Sequence, residues 1–133
     1  MDNTKKIKIL VVAQLILFPL YLYLSFYFES DLPNSLQHYL NSAEEFVMPS
    51  MLTVVVILVL LVVHLVSAVG LLLSKMWAKN IYAVTAIGGV AIMPFIGPIV
   101  EHALSATVLE ISILLEGVLL GLLYYSESTF NKF

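Results

Sequence analysis

Three ionisable side chains stand deep inside long apolar runs, and their chemistry is that of protons held away from water. His64 lies in MLTVVVILVLLVVHLVSAVGLLL, residues 51–73. Glu110 and Glu116 lie in ALSATVLEISILLEGVLLGLLYY, residues 103–125. A charged group at bilayer depth is costly, so each needs a partner, a cavity or a proton. His64 stands nine residues before Leu73, and Glu116 nine before Tyr125. At a helical rise of 1.5 Å both fall about 13 Å from the same boundary. That match in depth predicts contact, because a proton shared between imidazole and carboxylate lowers the cost of burying either. Glu110 is one and two-thirds turns earlier, roughly 9 Å higher and about 120° around the helix. Tyr23 is the hydroxyl expected at its depth. The buried polar set is therefore His64, Glu110, Glu116 and Tyr23, read as a proton or ligand site; the plainer alternative is protonated carboxyls that only fix helix packing.

The motifs of catalysis are missing. No serine has a positioned base, no HExxH spacing occurs, and no glycine loop cradles a phosphate. Glu101 and His102 are adjacent, so on a helix they diverge by about 100° and make a poor ligand pair. The chain has no cysteine, which removes disulfides and thiolate metal sites. Its six basic residues are all lysine, and without arginine neither nucleic acid nor bidentate phosphate binding is expected. The expectation is a protein that is not an enzyme, with no cofactor and no metal.

The elements that position these groups follow from composition. The 133 residues are 61% hydrophobic and 11% charged, against about 45–50% and about 25% in soluble domains. Lipid must be the solvent for most of this surface. Four runs are long enough to span a bilayer: about 9–28, 51–73, 78–99 and 103–125. They predict an all-α integral membrane protein, a single domain over 1–133. Its four transmembrane helices form a compact antiparallel bundle, with a short amphipathic helix between the first and second spans. The first run is longer than a signal-peptide core and ends in aromatics, FYFES, not in a cleavage site, so it reads as a retained span. Pro19 is expected to kink it. Pro94 and Gly97-Pro98 fall in the outer third of span three, giving either a short, partly unwound end or, on the plainer reading, a kinked packing helix that ends at a Gly-Pro turn.

Segment 29–50 is acidic. Leu36, Tyr39, Leu40, Ala43, Phe46 and Val47 recur at helical spacing after Pro33-Asn34, with Asn34 as the cap. Its Glu44, Glu45 and Phe46 form the surface expected to meet a protein partner, and His38 reads as a surface residue. Small residues mark the packing faces: Gly88 and Gly89 in span three, Gly117 and Gly121 in span four.

Lysines sort by side. Lys5, Lys6 and Lys8 precede span one, Lys75 and Lys79 lie between spans two and three, and Lys132 follows span four. The positive-inside rule then puts both termini in the cytoplasm and segment 29–50 outside, in a membrane read as a bacterial inner membrane.

In having four short spans, an intramembrane glutamate and the Gly117-xxx-Gly121 step, the plan resembles small multidrug resistance transporters. That family carries its essential glutamate in span one, where this chain has Gln14, and its span-three tryptophan has no counterpart here. In size and span number the chain also looks like bacterial immunity proteins that protect against pore-forming toxins. Two functional expectations result. One is binding of a membrane or exported partner protein, in an accessory or toxin-immunity role. The other is proton- or cation-coupled transport by a homodimer through the buried carboxylates.

Overall fold

A computed structural model describes residues 3–28, 32–42, 50–96 and 100–125. It contains five helices among these residues: α1 (Asn3–Phe28), α2 (Asn34–Ser42), α3 (Ser50–Leu72), α4 (Met76–Ile96) and α5 (Ala103–Tyr125). Four of them are long and apolar enough to cross a membrane. They pack as two antiparallel pairs, α1 with α5 and α3 with α4. The pairs meet mainly through α1 and α3, while α4 and α5 touch sparsely.

The helices begin and end where local chemistry dictates. α1 starts six residues before the apolar run, because Lys5, Lys6 and Lys8 are good helix formers whose stems can lie along apolar surface. It continues through Pro19, and α4 likewise continues through Pro94 to Ile96. The helix is therefore not broken at Pro94, as the plainer of the two readings of span three has it. A proline removes one donor, and a helix in a membrane keeps its remaining bonds because no water competes for them. Residues 97–99, which include Gly97-Pro98, lie outside the described residues. α2 opens on the Pro33 carbonyl, which accepts from Leu36 N (2.9 Å) and Gln37 N (3.1 Å). Pro33, not Asn34, thus occupies the cap position.

α3 ends in a Schellman motif: Lys75 N donates to the Gly70 carbonyl and Ser74 N to that of Leu71, both at 2.9 Å. Ser74 takes the left-handed conformation this closure demands, φ 56°. The turn is tight because Gly70 has no side chain: a Cβ there would stand 2.6 Å from Ala78 Cβ and 2.9 Å from the Trp77 ring.

The core joins Ile7 and Val11 of α1, Ala68 and Leu71 of α3, Ala78 and Tyr82 of α4, and Leu119 and Leu123 of α5. All lie toward the end of the bundle that carries the lysines. Beyond it the α3–α4 hairpin is thinly covered: no described residue from 51 to 63, or from 87 to 94, is buried by the rest of the chain. In a bilayer those halves face lipid or another protein.

Candidate functional site

Where the two helix pairs meet, side chains from α3, α4 and α5 form a polar cluster. His64 Nε2 lies 3.6 Å from Glu116 Oε1. On the other side of the ring, His64 Nδ1 is 3.0 Å from Thr85 Oγ1. The Thr85 hydroxyl points its proton at the carbonyls of Ile81 and Tyr82, each 3.0 Å away. Its oxygen is then left to accept from Nδ1–H, which assigns the tautomer from the network. Nε2 of that neutral ring is the acceptor nitrogen, and it is the one turned toward Glu116, so a proton on either group would serve both. At 3.6 Å the groups stand just beyond direct hydrogen-bond range, which ends near about 3.2 Å.

Tyr82 completes the cluster. Its ring lies 4.5 Å from that of His64, tilted by 36°. The hydroxyl is fully buried, and the group it faces is the Glu116 carboxyl. Ser67, one turn after His64, is also buried and returns its hydroxyl to the His64 carbonyl at 2.7 Å. The cluster thus brings an imidazole, a carboxyl and three hydroxyls from three helices together. It contains no nucleophile paired with a base. No group of three or more His, Cys, Asp or Glu that could hold a metal occurs among the described residues.

Glu110 and Tyr23 are not part of this cluster. Glu110 is exposed on α5, without a hydrogen bond or ion pair among the described residues. Tyr23 is 63% exposed and stacks on Tyr27, ring centroids 5.8 Å apart. The expected Tyr23–Glu110 bond is thus absent, because Tyr23 points outward from the bundle. Tyr21, two residues earlier and on the opposite side of the helix, is the tyrosine that turns inward, and its hydroxyl donates to Glu101. Beside it Phe28 stacks on His102 at 4.4 Å. Together these contacts tie the end of α1 to the α4–α5 connection.

Gln14, the one polar residue of the inner part of span one, donates from Nε2 to the Ser112 carbonyl at 2.6 Å. It also accepts from Ser112 Oγ. Both the Gln14–Ser112 and Tyr21–Glu101 pairs escape the sequence reading, which counted depths only for His64 and the two acids. The signal for the first was present: a lone amide in an apolar span requires a partner in a neighbouring helix.

Of the four packing glycines, only Gly88 has a neighbour within contact range of a Cβ, Leu60 Cδ2 at 3.7 Å; Gly89, Gly117 and Gly121 have none within 4 Å. Those three do not mediate packing among the described residues. Close approach falls instead to Gly70. Glu44, Glu45 and Phe46 lie outside the described residues.

No protein-family model, curated protein or solved structure matches the chain.

Proposed function

We propose that this membrane protein acts without catalysis, by binding another membrane or exported protein, in an accessory or toxin-immunity role. The observation that carries the reading is the uncovered face of α5. Ala103, Thr107, Glu110, Gly117 and Gly121 are exposed on one stripe, and among the described residues nothing stands within 4 Å of a Cβ at either glycine. Small residues let another helix approach closely, and a carboxyl at bilayer depth requires a donor. Lipid supplies neither. The acidic segment holding Glu44, Glu45 and Phe46 would extend the contact on the extracytoplasmic side, in a bacterial inner membrane with both termini in the cytoplasm.

The test is photocrosslinking from Leu114, which is 70% exposed on the same stripe, in the full chain in its native membrane. A discrete adduct is expected that weakens with Gly117→Ile and persists with Glu116→Gln. An adduct indifferent to Gly117→Ile would sink the reading. Because the chain has no cysteine, single-cysteine labelling reads orientation without background.

The His64–Glu116 contact favours a second reading, proton- or cation-coupled transport by a homodimer. Here Glu116→Gln should abolish pH-driven flux in liposomes while leaving the fold intact, and a variant with normal flux would exclude the role.

A further inference from the structure

Along the outer surface of the α3–α4 hairpin runs a groove of about 380 Å³, lined by Leu60, Val63, Asn80, Ile81, Val84 and Thr85. The groove is shallow and open along its length. Four of the six residues are aliphatic. Thr85 lies at its floor, with its hydroxyl engaged by His64 Nδ1 and by the carbonyls of Ile81 and Tyr82. A water there would find too few partners, so the groove suits a hydrocarbon chain.

One end of the groove is polar. Asn80 Oδ1 accepts from the Tyr124 hydroxyl at 3.4 Å, and Lys79 Nζ lies 4.5 Å above the Tyr124 ring. Lys75 is exposed in the turn that precedes α4. Of the three acids among the described residues, Glu101 and Glu110 lie elsewhere and Glu116 lies behind the groove floor, across His64 from Thr85, whereas Lys5, Lys6, Lys8, Lys75 and Lys79 share this end. Trp77, Asn80, Ile81 and Val84 stand at i, i+3, i+4 and i+7, so the half-exposed indole sits over the same face of α4.

We propose that this groove holds one acyl chain of an acidic phospholipid, with the headgroup phosphate between Lys75 and Lys79. Charge chooses the occupant. A zwitterionic headgroup brings its own cation toward two lysines, while a phosphatidylglycerol-type headgroup brings only the anion. Because Thr85 forms the groove floor and bonds His64, the lipid would rest one hydrogen bond from the buried cluster.

Trp77 is the only tryptophan and reports on the site directly. The full chain is reconstituted in vesicles containing acyl-brominated phosphatidylglycerol or acyl-brominated phosphatidylcholine, and quenching of Trp77 is compared. Each lysine near a membrane surface favours an anionic lipid by about fivefold. The acidic lipid should therefore associate at least about fivefold more strongly. Lys75→Gln and Lys79→Gln should each remove part of this preference, and the double variant should bring the ratio to about 1. The double arginine variant should retain it, which separates charge from folding. Val84→Phe, which fills the groove, should reduce quenching by both lipids. Millimolar inorganic phosphate should leave the ratio unchanged. Equal quenching by the two lipids, a ratio that survives both glutamines, or loss of preference to free phosphate would each overturn the assignment.

Discussion

Gln14 and Ser112, 98 positions apart, exchange two hydrogen bonds across the α1–α5 interface: the amide nitrogen meets the Ser112 carbonyl at 2.6 Å and the serine hydroxyl meets the amide oxygen. This reciprocal pair closes the ends of the chain onto each other. In lipid such bonds stabilise by about 0.6 kcal/mol on average and up to about 1.7 kcal/mol, since an unfolded helix also finds partners. Gln14→Leu and Ser112→Ala should each destabilise the bundle by an amount in that range. The double variant should cost about as much as Gln14→Leu alone, which removes both bonds, whereas Ser112→Ala removes only the hydroxyl bond and leaves the backbone carbonyl to accept from Gln14 Nε2. Denaturant titration in detergent measures this, and additive losses would show that the two residues act independently.

The His64 ring should carry its proton on Nδ1, facing Thr85 Oγ1 at 3.0 Å. Nitrogen-15 chemical shifts of the labelled imidazole report the tautomer. Thr85→Val removes the acceptor at nearly the same volume and should abolish the Nδ1 preference. It should also destabilise by about 1–3 kcal/mol, the cost of leaving a buried donor unmade. An unchanged nitrogen spectrum in the valine variant would place the proton elsewhere.

Much of this arrangement is readable from residue order because bilayer length is a severe constraint. α5, Ala103–Tyr125, and the apolar run in the sequence have the same bounds. Depth counting likewise identifies His64 and Glu116 as neighbours, since four antiparallel helices of nearly equal length share one ruler. Rotation about the helix axis is less legible. Tyr21 and Tyr23 are equally plausible from depth, and only packing against the α4–α5 connection turns Tyr21 toward Glu101 and leaves Tyr23 outside. The glycines show the same limit. Gly117 and Gly121 fit a packing motif but face open space, whereas Gly70, outside any motif, sits against Ala78 and Trp77 because the Schellman turn folds α4 back onto it.

Ser74 adopts φ 56° at the close of α3. A side chain in the left-handed region costs roughly 1–2 kcal/mol, which glycine avoids. Ser74→Gly should therefore raise stability by about 1 kcal/mol, after the extra entropy lost by glycine on folding, and Ser74→Val should lower it. Equal stability of the two variants would mean that the turn relaxes out of this conformation.

Glycine substitutions should divide by location. Gly70→Ala forces a methyl to within 2.6 Å of Ala78 Cβ, and overpacking of this kind costs about 1–3 kcal/mol. Gly117→Ala and Gly121→Ala meet nothing within 4 Å among the described residues and should be neutral or stabilise by up to about 1 kcal/mol, alanine being the better helix former. The comparison is a thermal unfolding series in one detergent. Comparable losses at Gly70 and Gly121 would contradict the open face of α5.

Glu110 distinguishes an isolated chain from one that works in a complex. It is exposed on α5 and has no partner among the described residues. A carboxyl facing hydrocarbon costs on the order of 2–3 kcal/mol, by analogy with aspartate at the centre of an inserted helix. Glu110→Leu should therefore stabilise the solitary protein by up to about that amount in reconstituted bilayers. Glu116→Leu should do the opposite, since it leaves the His64 imidazole facing a methyl group where a carboxylate stood 3.6 Å away. If a partner supplies a donor to Glu110, the same leucine that stabilises the monomer should weaken the complex, because that donor is then left unpaired. The two effects have opposite signs and separate readouts: unfolding of the purified chain and recovery of the crosslinked adduct. A Glu110→Leu variant that loses stability would show that the carboxyl has a partner within the chain, and one that keeps the adduct at full yield would remove Glu110 from the interface.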